Sequence, residues 1–480
     1  MHSDGCSIPP WPDARLSDHQ PSSYPGSASP FTRRSAYVGG SKEQFPGVWP
    51  SLHLRQPPTR AAPGCGDAYT MTLIQDQLLG AELRAASATL AGGLSQPADG
   101  ASTEESPFVQ AYTRALALQE QAAGQAPDLQ RESLLAACTA YQEASRLAGH
   151  THVAALYNHG VALSDLYRLG DNDDGDDGRA TLRAALDRYG AALALDPANP
   201  QALNNSGLAL QELASGLPPA EAGPLLRQAV ARFRGAARAL PGFHRALYNA
   251  GTALYSLAAA LRAAEGVDSA DLLQQEPALL PTAPGDPAAD EDSATLDVLP
   301  EPARRVRRVR RAFADAAQYI ALACALRPVT DASAVYARSL DTVAPLLPLP
   351  ALRRSGARWA AGPPGGRTPG WARGTLELDA AGVRSLGPGA ALRLGAAELR
   401  GACRARDPSL PAEGHALWLA LTGRPRGAFL VLDGEEEAEC WVDALATLAH
   451  LNAHQGLDRL ARILRARPPS ALGNGPSSEV

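Results

Sequence analysis

The chain has 480 residues, 45% of them hydrophobic and 20% charged, with 44 basic against 50 acidic side chains and a net charge of −6. That length holds roughly two to four domains with apolar content for real cores, and the overall sign gives no pull toward nucleic acid, which is not an expected partner. Lys42 is the only lysine, so a phosphate-loop lysine or a Schiff-base lysine is excluded everywhere else.

In chain order, residues 1–70 are rich in Pro, Ser and Gly without periodicity and read as a disordered extension. Arg33-Arg34 among serines suggests an organelle transit segment, whereas Asp4, Asp13, Asp18 and Glu43 argue against one. A cytoplasmic protein is therefore expected, with a plastid or other organelle as the alternative. Residues 71–104 hold one helical pattern, Thr72–Gly92, and a linker. Cys6, Cys65, Cys138, Cys324, Cys403 and Cys440 show no paired spacing, which points to a reducing compartment. No apolar run reaches the roughly 18–20 residues that a transmembrane helix needs.

From 105 to 345 the chain repeats itself. Ala-Leu-Asn-Asn-Ser-Gly-Leu-Ala-Leu begins at 202, and versions of it begin at 110, 155 and 246, which are 45, 47 and 44 residues apart. Self-similarity at such a period marks a stacked-repeat architecture. Each copy precedes a second helical pattern, such as Arg179–Leu195, closed by Asp196-Pro197. Gly160, Gly207 and Gly251 each cost about 1 kcal/mol of helix propensity, so a neighbouring helix is expected to approach closely there. Tyr141, Tyr189, Phe233 and Tyr319 are expected to fill the space between layers. Large–x–x–x–Gly–x–x–Leu, followed by Ala–x–x–x–aromatic–x–x–Ala–Leu–x–x–x–Pro, resembles the tetratricopeptide repeat. It departs from that family by extra residues between the paired helices, including acidic insertions at 171–178 and 266–302. Ala332–Ala344 reads as the closing helix.

Beyond Pro350 the pattern changes. Gly374–Leu378, Gly382–Leu386, Ala391–Leu394, His415–Leu421 and Gly427–Leu432 are short segments between Gly/Pro turns and read as strands. An amphipathic helix, Glu435–His450, follows, with Cys440, Trp441, Leu445, Leu448 and Leu451 at helical spacing. The run Phe429-Leu-Val-Leu-Asp-Gly-Glu-Glu-Glu-Ala-Glu-Cys-Trp441-Val-Asp-Ala-Leu445 resembles the pleckstrin-homology fold, which implies that Trp441 plugs a small β-rich domain over 351–465. Residues 466–480 read as a disordered tail. The expected fold class is mainly α, a helical repeat stack followed by this β-rich domain with a C-terminal helix.

Asn158, Asn205 and Asn249 hold one place in three consecutive copies. An amide offers two donors and an acceptor, and peptide-binding tetratricopeptide proteins use an asparagine row at that place. The resemblance therefore implies a peptide or protein partner in a concave groove, with Arg245 and Arg114 as further candidate contacts. Arg304, Arg305, Arg307, Arg308, Arg310 and Arg311 crowd into eight residues. They read either as a patch for anionic lipid or RNA or as a helix start held by neighbouring acids such as Glu301. Neither His450 with His454 nor His150 with His152 has thiol or acidic company at ligand spacing. With no catalytic constellation, metal site or cofactor motif, the expectation is a non-catalytic adaptor, and the alternative is a membrane-peripheral or RNA-associated factor.

Overall fold

The computed structural model describes residues 106–170, 176–268, 271–272, 300–327, 334–360, 371–386, 392–406, 410–411 and 413–465. The N-terminal extension, the 72–92 helix, most of both acidic insertions, the tail, Lys42, Cys6 and Cys65 lie outside them.

Eight helices pair in sequence: α1 (Pro107–Ala122) with α2 (Pro127–Leu147), α3 (Val153–Leu169) with α4 (Asp176–Leu195), α5 (Pro200–Ala214) with α6 (Pro219–Ala239), and α7 (His244–Glu265) with α8 (Glu301–Leu326). Each packs on the next, and α9 (Ala334–Val343) closes the row against α8. The starts are built locally. Asn199 Oδ1 accepts from Ala202 N at 2.9 Å ahead of Pro200, and His152 Nδ1 accepts from Ala155 N at 3.2 Å. Each satisfies one orphan donor of a first helical turn.

The repeated glycines are close-approach points. A Cβ on Gly160 would lie 2.6 Å from the Tyr189 ring, and one on Gly207 would lie 2.6 Å from the Phe233 ring. The fourth pair corrects the expected register. Gly251 faces Ile320 rather than Tyr319, with a Cβ there 2.6 Å from Ile320 Cγ1. Ile320 stands eight residues before Pro328, as Tyr189 stands before Pro197 and Phe233 before Pro241. Tyr319 is thereby freed to face outward from its layer.

After α9 come seven strands: β1 (Arg353–Ala360), β2 (Ala372–Asp379), β3 (Gly382–Leu386), β4 (Arg393–Gly395), β5 (Leu399–Arg404), β6 (His415–Leu421) and β7 (Arg424–Leu432). They form one antiparallel sheet ordered β4-β3-β2-β1-β7-β6-β5. Five strands match the predicted segments; β1 and β5 are additional. Helix α10 (Glu435–Ala453) packs on the sheet and α11 (Leu457–Arg465) on α8. Trp441 is fully buried, and its Nε1 donates to Ser355 Oγ at 3.0 Å. No side chain caps the start of α10, and Glu435, Glu436 and Glu437 load its first turn instead, favourable to the helix dipole. Among the described residues no helix is long and apolar enough to cross a membrane.

Candidate partner-binding face

The first helices of the pairs, α1, α3, α5 and α7, carry the repeated asparagines. Asn158 is 1% exposed, and its Nδ2 donates to Tyr112 OH at 3.0 Å. Asn205 Nδ2 donates to Tyr157 OH at 3.0 Å, and Asn249 Nδ2 donates to Asn204 Oδ1 at 3.0 Å. In every case the acceptor belongs to the preceding pair and stands one residue before the asparagine position. Tyr248 continues the row to α9 through Ser339 Oγ at 2.9 Å. The amides thus form a ladder between layers. This corrects the geometry expected of Asn158, which is closed off from any peptide, while Asn205 and Asn249 remain half-buried beside the row.

A second polar row lies farther along the same helices. Arg168 Nη1 donates to Asp165 Oδ1 at 3.1 Å and its Nε to Glu212 Oε1 at 3.0 Å, which ties α3 to α5. Gln211 Nε2 reaches Thr252 Oγ1 at 3.4 Å and ties α5 to α7. Burial pushes the Asp165 carboxyl up to about 6 against the pull of Arg168. Burial, helped by Arg188, pulls buried His159 down to about 4.

The two arginines expected beside the asparagines stand apart in accessibility. Arg245, two residues into α7, is half-buried, and Arg114 on α1 is exposed. Neither has an ion-pair partner among the described residues.

The arginine run lies at the surface, and four of its six members are ion-paired within the chain. Arg304, Arg305 and Arg308 pair with Glu301 at 3.2, 3.3 and 3.4 Å; Arg308 also reaches Glu265 at 3.0 Å, and Arg311 meets Glu437 at 2.6 Å. Arg307 and Arg310 are half-buried within it. The run therefore fastens the start of α8 to the end of α7 and to α10, and much of its positive charge is met within the chain.

A contact with no sequence signal fixes the sheet module to the second helices. Arg234 of α6 donates from Nε to Tyr319 OH at 2.7 Å and from Nη1 to Glu436 Oε2 at 3.0 Å. Arg238 Nε donates to Asp443 Oδ1 at 2.7 Å, and Tyr319 OH donates to the other Asp443 oxygen. Gln318 Nε2 donates to Cys440 O at 2.9 Å, while Arg353 Nη1 reaches Asp315 Oδ1 at 2.7 Å and Gln318 Oε1 at 3.0 Å. Burial pushes the Asp443 carboxyl upward, opposed by Arg238 and Arg234. The acids that load the first turn of α10 thus also anchor it to α6 and α8.

His450 and His454 stack with ring centroids 4.1 Å apart, but among the described residues no three His, Cys, Asp or Glu side chains gather as metal ligands.

No family model matches the chain, and no curated protein matches it.

Proposed function

We propose that the chain is a non-catalytic scaffold that holds a polypeptide partner along the first-helix face of its stack. In this reading the stack is of the tetratricopeptide class and the C-terminal domain a pleckstrin-like module. The paired helices with glycine contacts support the first assignment; the strand order and the buried Trp441 on α10 support the second.

The observation that carries the reading is the asymmetry of the stack. The module's polar contacts fall on the second helices α6 and α8. The first-helix face presents half-buried Asn205, Asn249 and Arg245 in successive layers. Neighbouring helix axes lie about 8–10 Å apart, and an extended peptide rises about 3.3 Å per residue, so successive layers could address every third residue. The internal pairing of the arginine run weighs against the anionic-lipid alternative.

A displayed 12-residue peptide library selected on the full chain tests the proposal. Binders should lose affinity about tenfold or more with Arg245→Glu and keep it with Arg232→Glu, an exposed second-helix position. Binders indifferent to Arg245→Glu and to Asn249→Ala would overturn it, as would a library that yields none while anionic vesicles bind.

A further inference from the structure

The register that the asparagine ladder fixes brings a second recurrence into view. The acceptors of the ladder, Tyr112, Tyr157 and Asn204, hold equivalent places on α1, α3 and α5. Eight residues on from each stands an acid, Glu120, Asp165 and Glu212 in turn, whereas eight on from Tyr248 of α7 stands Ser256. Counted from Asn158 and Asn205 the step is seven residues, close to two turns, so the acids share the stripe of the asparagines about 10 Å farther along. They form a row across three layers of the first-helix face.

The chain itself displays what this row binds. Arg168 bridges two layers, with Nη1 on Asp165 Oδ1 at 3.1 Å and Nε on Glu212 Oε1 at 3.0 Å. Two carboxylates share that one guanidinium, and each keeps an oxygen, Asp165 Oδ2 and Glu212 Oε2, that is closed to solvent and has no hydrogen-bond partner. Gln119 of α1 adds a neutral amide beside Asp165. An unmet buried acceptor is costly, and a charged donor answers a carboxylate best. Both side chains still open onto the groove, 13% and 26% exposed. One layer back from Arg168, 45 residues upstream, stands Ala123, and one layer on, 47 residues downstream, stands Ser215. The first layer thus supplies an alanine between Glu120 and Asp165 at the place where Arg168 joins Asp165 to Glu212.

Resting on the scaffold reading, we propose that the polypeptide partner is basic where it crosses this row, and that one of its arginines seats between Glu120 and Asp165. Successive layers are related by nearly the same rotation and shift, so a guanidinium there meets the surroundings that Arg168 has one layer on. The planar fork of arginine serves two carboxylates at once, whereas lysine is a point charge. A polyproline-like peptide advances about 9 Å in three residues, close to the 8–10 Å between neighbouring helices. Arginines three residues apart therefore keep step with the layers.

Fluorescence anisotropy of a labelled peptide, four repeats of Arg-Ala-Ala, with the full chain at about 50 mM salt tests it. Glu120→Gln with Asp165→Asn should weaken binding about tenfold or more. Ala123→Arg should weaken it about as much, because it brings a guanidinium from the chain itself onto the same carboxylates. Ala123 is exposed just past α1, so its replacement spares the core. Thermal melts report folding, and exposed Glu120→Gln alone serves if Asp165→Asn melts early. Glu221→Gln, at an exposed second-helix position, should change nothing. Equal binding of the same peptide with glutamine for arginine overturns the proposal, as does binding unmoved by Ala123→Arg. The two readings fail apart. Library binders that depend on Arg245 but ignore both Glu120→Gln and Ala123→Arg leave the scaffold reading standing and overturn this one. Arginine-peptide binding lost with Ala123→Arg but kept with Arg245→Glu supports the row and counts against the scaffold's Arg245 contact.

Discussion

Gly207→Ala would place a methyl 2.6 Å from the Phe233 ring, whereas Gly190→Ala on α4 meets nothing within 4 Å. Both gain about 1 kcal/mol of helix propensity; only the first pays an overpacking penalty of about 1–3 kcal/mol. Urea midpoints should therefore fall for Gly207→Ala and rise for Gly190→Ala, and a fall for both would mean the helices need glycine for another reason. Two buried groups titrate with opposite sign. Asp165, held near 6, binds its proton more tightly folded than unfolded, so its contribution to stability declines as pH rises from about 4 to 6. His159, held near 4, resists protonation when folded, so its contribution is present above about 6.5 and lost as pH falls toward 4. The stability of Asp165→Asn relative to the parent should thus climb between pH 4 and 6.5, and that of His159→Gln should fall over the same window. Denaturation midpoints across that range check both signs. The sequence made the glycines legible because their propensity cost demanded a reason. It hid the role of Tyr319, because one residue of register decides whether Ile320 or Tyr319 faces the glycine.

At the scale of elements, the recurrence of Asn158, Asn205 and Asn249 was visible, but the destination of their amides was not. Each acceptor lies 45–48 residues upstream, and only the stacking of one layer on another brings it near. Asn158→Ala with Asn205→Ala and Asn249→Ala should consequently lower stability, by about 0.5–1.5 kcal/mol per lost bond, measurable as a reduced urea midpoint. An unchanged midpoint would show that the ladder contributes nothing net. Strand β1 escaped detection for a related reason. Its inward positions include Arg353 and Ser355, polar because they answer Asp315 and Trp441 rather than an apolar core. Strand β5, Leu-Arg-Gly-Ala-Cys-Arg, offers small residues in place of alternation. The anchoring of α10 predicts strong dependence on one carboxylate. Asp443→Ala would leave Arg234 with Glu436 and Arg238 with Glu439 but remove the buried carboxylate the two arginines share, and removing one partner of a buried ion pair costs about 3–5 kcal/mol. The exposed Arg146–Glu143 pair is the control, and its removal should leave the melting temperature unchanged.

For the whole molecule, the helical stack and the strand-rich end could be read separately from periodicity, but their union could not. The acids of α10 read as dipole partners in isolation, and nothing near Arg234 or Arg238 announces a carboxylate some 200 residues away. Because that contact is buried and polar, the two parts should unfold together. Calorimetry of the full chain should show one transition for stack and module, and truncation after Pro350 should lower the melting temperature of what remains. Two well-separated transitions, or an unaffected truncated stack, would show that the polar contact holds the parts in place without coupling their stability.

Helix α10 touches two layers at once, Arg234 and Arg238 from the third pair and Tyr319, Gln318 and Arg311 from the fourth. The stack is thus a spring clamped over its last two coils. Any bending or twist must be taken up between the first and second pairs and between the second and third, where only helix packing and a few hydrogen bonds resist it. Its compliance is graded along its length, soft at α1 and stiff at α8. Amide hydrogen exchange should follow that gradient, faster in α1–α3 than in α6 and α8, and Asp443→Ala should soften the stiff end while leaving the soft end as it was.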